Sequence, residues 1–372
     1  MKNSFLLLAL LFLMSCSAPR VIKLQSLTKP IDDHGLVFTL PKTMLKIEVF
    51  VRKTMHHKGP FAEFADKYFG LQNVIKSEQT SFSIDNVKIT SYKEADSTQL
   101  YFISHLPHHF KIDFDENGLL NSINACPQPP RPYFTGRTFQ DENPYHHSNL
   151  FRNYAENNLV EKIDTITEEV HADSASYLKQ TLKKTMVEKP MMLRVEEAAD
   201  YILKVRQNRL NILSATNEVA YEKASIEYMA NELLKIENDY MTLFTGITDE
   251  QNIICTYYIE PVANQDTYPL FVFSNTEGVV KNAGDKAFSV VLQINSDKIY
   301  AKIPDNFSVK HFQNGFPYRL AEISEIIVKT PSTILTTEKL PILQRGIVYR
   351  IPLGNHTRIS SYPNGNLQLF HY

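Results

Sequence analysis

Between Met191 and Leu243 apolar residues recur every three or four positions, whereas elsewhere in the chain they mostly alternate. Ile226, Met229, Leu233, Ile236, Tyr240 and Leu243 step by 3, 4, 3, 4, 3. This is a heptad seam, and a helix places all six side chains on one side. Val195, Ala198, Ile202, Val205 and Ile212 carry similar spacing upstream. Pro190 precedes the first stretch, good N-cap residues lie in Ser214–Asn217, and Gly246 follows the second. The pattern predicts an antiparallel helical hairpin over 191–246 with arms of about 33 Å. Glu227, Asn231, Glu232, Lys235 and Asn238 give the second arm a wet face. The seam has too few heptads for an extended coiled coil with a partner. It is expected to pack on its own protein, with a β domain covering the side its sister helix leaves open.

Period-two patterns predict strands around this hairpin. Upstream they fall at Val37–Leu40, Met44–Val51, Thr80–Tyr92, Gln99–Phe102, Phe110–Phe114 and Leu119–Ala125. Phe61, Phe64, Ala65, Tyr68 and Phe69 interrupt them with helical spacing, ended by Gly70. Four prolines within residues 127–132 favour extended polyproline II and close the first domain. Val160–Val170 and Tyr177–Val187 alternate on either side of Ala172-Asp173-Ser174, which reads as a two-stranded ribbon. Residues 253–372 read as short strands, with a hairpin turn at Pro363-Asn364-Gly365-Asn366. The expected class is α+β, mostly antiparallel β. It comprises an N-terminal β-rich domain with one short helix (36–126), a Pro-rich linker and β-ribbon (127–190), the helical hairpin (191–246) and a C-terminal β-sandwich-like domain (247–372).

The first 35 residues read as address and tether. Lys2 precedes an uncharged apolar run from Phe5 to Met14, too short to span a bilayer, which takes about 20 residues. Leu13-Met14-Ser15-Cys16 resembles the lipobox of bacterial lipoproteins. That resemblance implies removal of residues 1–15 and lipid on Cys16, with 16–35 as tether and the membrane as a partner through the lipid. No acidic cluster follows Cys16, which points to the periplasmic face of the outer membrane. A formal net charge of −2 without a basic stripe argues against a nucleic-acid partner. Cys126 and Cys255 either close a long-loop disulfide or sit apart as buried thiols.

Motifs for chemistry are sparse. His56-His57, His108-His109 and His146-His147 could offer imidazoles to a metal, but neighbours on a strand point to opposite faces. They read as solvated histidines. Asp113-x-Asp115-x-Asn117-Gly118 copies the first half of a calcium loop, yet the twelfth position is Asn124 instead of a bidentate glutamate. Ordinary hairpin chemistry accounts for the same residues. Ser176-Tyr177-Leu178-Lys179 matches S-x-x-K without a lysine-threonine-glycine partner. No catalytic residue, metal or cofactor is assigned.

Several stretches resemble one family. They include Leu40-Pro41-Lys42-Thr43, Gly59-Pro60-Phe61, Ala198-Ala199-Asp200-Tyr201-Ile202, Leu243-Phe244-Thr245-Gly246 and Gly346 to Pro352. Together they resemble the domain-of-unknown-function family numbered 4831, of exported Bacteroidetes lipoproteins. The resemblance implies an architecture and no activity. The expected role is a non-catalytic binding or scaffolding module whose partner is an envelope protein or a glycan. The alternative is an envelope or extracellular polymer hydrolase that uses a carboxylate pair. Replacing Cys16→Ala should leave the protein unprocessed or soluble. Retention in the membrane fraction after a high-salt wash would show that lipid is not the attachment.

Overall fold

The structure is a computed structural model that describes residues 20–24, 35–104, 111–115, 119–124, 158–172, 175–214, 223–281, 284, 286–300, 315–351, 358–361 and 367–370. The leader and Cys16, most of the tether, the proline run and the turn at 363–366 lie outside the described residues. The fold is α+β with predominantly antiparallel strands. It divides into two compact units. One comprises Met1–Arg52, Phe82–Thr138 and Ile253–Tyr372, and the other Lys53–Ser81 and Phe139–Asn252.

Three sheets hold the strands of the first unit. Strands β1 (Arg20–Leu24), β3 (Gln79–Ser104), β2 (Gly35–His57) and β8 (Ile247–Ile259) are neighbours in that order, and the last three run on past the unit boundary. The second sheet has the order β10 (Gly278–Val280), β9 (Thr267–Ser274), β11 (Ala287–Tyr300), β12 (Phe316–Lys329), β13 (Ile334–Ile351). A small third sheet runs β15 (Leu367–Phe370), β14 (Arg358–Ser361), β5 (Leu120–Ile123), β4 (Ile112–Phe114). The separate runs that the sequence suggests upstream are joined here: β2 is 23 residues long and β3 is 26.

Alternation in β2 explains the main core. Leu45, Ile47, Val49 and Val51 point inward with Val87 and Ile89 of β3. Against them lie Phe273 of β9, Val290, Leu292 and Ile294 of β11, Ile326 and Val328 of β12, and Ile342 of β13. This is a sandwich of two sheets built from both ends of the chain. Each such side chain contributes about 1.5–3 kcal/mol by leaving water. A second core gathers Phe38, Leu40, Tyr101, Ile103, Ile123 and Phe316, with Phe38 stacked on Phe316 at 4.6 Å. Even-numbered residues of β2 face this core and odd-numbered ones face the first. The switch falls at Pro41-Lys42-Thr43. There Thr43 N–H donates to Gln344 Oε1 (2.9 Å), Gln344 Nε2 donates to Thr43 O (2.7 Å), and Thr43 Oγ1 donates to Pro341 O (3.1 Å). At Gly346 a Cβ would lie 1.7 Å from Leu320 O, so β12 and β13 approach there only over a glycine.

The second unit holds the helices. Helix α2 spans Met191–Leu213 and α3 spans Lys223–Thr245, where the periodicity places them. A 3₁₀ turn (Ala62–Phe64) leads into α1 (Ala65–Phe69). Val195, Ala198, Ile202 and Val205 are buried, and every residue of the α3 seam is at least half-buried. The element found on the open side of this pair is the short helix, where the sequence suggests a β domain. Phe61 and Ala65 join the buried cluster, and Phe244 takes Phe69 edge-on at 4.9 Å. Phe61 N–H donates to Leu243 O at 2.8 Å, and Gly246 ends α3 at φ +86°. Replacing Ile202→Ala should cost about 2–5 kcal/mol. Glu232→Ala, on the wet face, should stay within about 0.5 kcal/mol. Denaturant titrations of the two full-length variants would measure the difference.

Candidate interaction surface

Two strands of the second unit stand apart from every sheet described above. Strands β6 (Leu159–Ala172) and β7 (Ala175–Glu188) pair with each other from Leu159↔Glu188 to Ala172↔Ala175 without a register shift. Among the described residues no third strand joins them. The ribbon is tied at its base, where Lys189 N–H donates to Asn158 O at 2.7 Å and the Arg194 side chain bonds Lys189 O and the Glu188 carboxylate.

Partners across an antiparallel ladder share a face. Met186 pairs with Glu161, Leu182 with Thr165 and Leu178 with Glu169, so these three lie on the face of Leu159 and Ile163. Their exposures are 62, 65, 69, 51 and 53 % respectively. They zigzag between the strands over about 33 Å. The opposite face is mixed: Ile166 (39 % exposed) and Tyr177 (56 %) lie among charges, with Asp164 set against Lys183 and Glu168 against Lys179. On the first face Leu159, Met186, Ile163 and Leu182 are successive diagonal neighbours, and Leu178 follows beyond the Thr167–Gln180 pair; exposed apolar side chains grouped in this way mark an interaction site. A lone two-stranded ribbon is also marginally stable in water, and sheets of three or more strands hold better. The outer edges contain neither proline nor bulge; the guards against pairing with another chain that they carry are charges, among them Lys179, Lys183 and Lys184 on β7.

Polar clusters elsewhere are tied up internally. In the first unit Arg319 Nη1 donates to Asp96 Oδ2 and to Pro41 O, both at 2.9 Å. Thr98 adds a hydroxyl and a backbone N–H to Asp96 Oδ1, at 2.6 and 3.0 Å. Burial pushes the Asp96 carboxyl up, but bonds from Thr98 and Arg319 and the guanidinium charge outweigh it and hold the pKa low. Glu94 and Glu260 converge on Lys42, at 4.0 and 2.7 Å, and the Glu260 hydrogen bond raises the lysine pKa against burial. In the second unit Glu237 Oε1 accepts from Arg206 Nε at 2.6 Å. Its Oε2 lies 3.0 Å from Arg209, within ion-pair range but without hydrogen-bond geometry.

A family model described as "Domain of unknown function (DUF4831)" matches residues 34–352. The chain belongs to the DUF4831 family. No curated protein and no solved structure matches it. The DUF4831 region includes both helical arms, the ribbon and both β cores, and begins downstream of Cys16.

Within the DUF4831 region the sequence candidates fall as follows. Cys255 lies half-buried on β8 with its thiol pushed up by burial, and Cys126 lies outside the described residues. Asp113 accepts from Asn121 Nδ2 at 2.7 Å and Asp115 from Leu119 N–H at 2.9 Å, so both serve the β4–β5 hairpin; Asn117 lies outside the described residues. Among the described residues no cluster of three metal-ligating side chains occurs. His56 meets Thr248 and His57 meets Glu78, both at 3.0 Å, while the other two histidine pairs lie outside the described residues. Ser176 and Lys179 of the S-x-x-K match sit on opposite faces of β7. Two features escaped the sequence reading: the buried Glu237 and the Arg319–Asp96 pair. Arg206 and Arg209, one turn apart opposite an acidic seam neighbour, were a readable signal for the first.

Because folding lowers the Asp96 pKa, its stabilisation is complete above the unfolded carboxyl value, about 3.9, and is lost as pH falls through the lower folded value. Asp96→Asn should therefore flatten the acid limb of the melting-temperature profile. It should also cost about 3–5 kcal/mol at neutral pH, since it strands Arg319. Thermal melts from pH 7 down to 2 would check both.

Proposed function

We propose that this protein is a lipid-anchored envelope module that binds or scaffolds a protein partner through the apolar face of the β6–β7 ribbon. The lipobox-like Leu13–Cys16 supports attachment by lipid on Cys16, at the periplasmic side of the outer membrane. The observation that carries the binding role is the row of Leu159, Ile163, Leu178, Leu182 and Met186, all more than half exposed on one face of an unaccompanied ribbon. Side chains of leucine, isoleucine and methionine offer a sugar no hydrogen bonds, whereas they suit an apolar protein surface rimmed by charge. Glu161, Lys184 and Glu169 lie among them on the same face, directly across from Met186, Ile163 and Leu178, and would meet such charges. The lipid would raise the local concentration of the module at the membrane, and the ribbon would take the partner.

A photo-activated cross-linking residue in place of Ile163 tests this in intact cells. It should trap one discrete protein partner, identified by mass spectrometry, while the same residue at Glu232 traps none. Equal, diffuse cross-linking from both positions would remove the ribbon face from the proposal.

A further inference from the structure

We infer that the ribbon's β7 edge is a self-association surface, and that its occupant is β7 of a second copy of this chain. The inference rests on reading the ribbon as the interaction surface, and it adds the identity of one partner.

The sequence of β7 is self-complementary about Leu182. If two copies pair antiparallel across a two-fold axis at that residue, Leu182 meets its own copy. Leu178 then meets Met186 of the second copy, and Tyr177 meets Val187. Each lysine falls opposite a neutral polar side chain: Lys179 against Thr185, Lys183 against Thr181, Lys184 against Gln180. Apolar meets apolar and no lysine lies directly opposite a lysine; Lys179 and Lys183 of the two copies become diagonal neighbours, and each keeps a β6 carboxylate across from it, Glu168 and Asp164. Leu182 also lies at the middle of β7, so the two ribbons overlap over their whole length with their bases at opposite ends.

The β6 edge fits less well. A central axis at Thr165 sets Glu161 against Glu169 of the other copy. An axis at Ile163 avoids that clash but drives the far end of each ribbon about 17 Å past the other's base. Pairing through β7 gives a closed, isologous dimer with a four-stranded sheet in the order β6-β7-β7-β6. All copies of Leu159, Ile163, Leu178, Leu182 and Met186 then lie on one side of that sheet. The pairing also lifts the ribbon above the strand number at which sheets become independently stable.

The test uses the full chain with Cys126→Ser and Cys255→Ser, single cysteines added on the ribbon, and a short bis-thiol cross-linker. Leu182→Cys should yield a covalent dimer. Lys179→Cys and Thr185→Cys should each yield almost none alone but a dimer when mixed, because they face each other only between copies. Ile163→Cys should give none. Sedimentation of the unmutated protein should reach twice the monomer mass and stop there. A monomer at all concentrations, growth beyond a dimer, or cross-linking through Ile163 in preference to Leu182 would overturn the inference. A monomer in which Ile163 still traps a different protein would refute self-pairing and leave the binding role standing. A monomer that traps nothing would sink both.

Discussion

The β-rich unit is organised around the ion pair between Arg319 and Asp96, which are 223 residues apart in sequence. Taking two charges out of water costs several kcal/mol per ion, and attraction offsets this only when the geometry is good and remaining polar atoms are satisfied. Thr98 supplies Asp96 with two bonds, and Pro41 O takes a bond from Arg319. The bonds therefore fix β3, β12 and β2 against one another at a single point. A one-residue slip of β12 would turn Arg319 to the other face and strand a buried carboxylate. At the same place β2 exchanges its inward face, and Thr43 locks the exchange onto β13. That switch lets one strand line both cores.

The helical unit has its own close crossing. Phe61 N–H reaches the end of α3 at Leu243 O, and Ile75 N–H reaches Thr245 O at 3.0 Å. Phe61, just before the short helical segment, and Phe69, at its end, then cover Phe244. Four of the sequence stretches that resemble the family sit at such crossings: Leu40 to Thr43 at the β2 switch, Gly59 to Phe61 with Leu243 to Gly246 here, and Gly346 beside Leu320. In these stretches glycine, proline and threonine answer to backbone geometry: a missing Cβ, a free carbonyl, a hydroxyl that both donates and accepts.

What was legible follows from the range of the forces. The helical arms, the six seam positions and the ribbon strands rest on neighbours within a few residues, and periodicity reports these directly. The sandwich depends on β2 and β3 facing β9, β11 and β12, and no local pattern records which strands meet. Alternation in Leu45–Val51 says that one face is buried and leaves open against what. The Arg319–Asp96 pair was hidden for the same reason, since each residue alone looks like a surface charge. The ribbon was legible as a pair of strands but not in its exposure. Its alternation reads as a two-stranded ribbon, which the structure has, but nothing in that pattern says that Leu178, Leu182 and Met186 stay exposed.

That exposure is sustainable because other interactions hold the two strands together. The backbone ladder runs unbroken from Leu159↔Glu188 to Ala172↔Ala175. Glu161 and Lys184 meet at 2.7 Å, and the register sets Asp164 and Glu168 opposite lysines. Cross-strand pairs of opposite charge contribute roughly 0.2–1 kcal/mol each. The carboxylates are concentrated on β6 and the lysines on β7, so the two strands attract each other. Like strands from two copies differ in how they could approach. The β6 edge carries Glu161, Asp164, Glu168 and Glu169 on either side of its middle, whereas the β7 edge carries Lys179, Lys183 and Lys184 among threonines and a glutamine. Charge partition thus does two things at once. It closes the hairpin without consuming the apolar face, and it makes the two outer edges chemically unlike, so that a second strand arriving at the ribbon meets a different surface on each side.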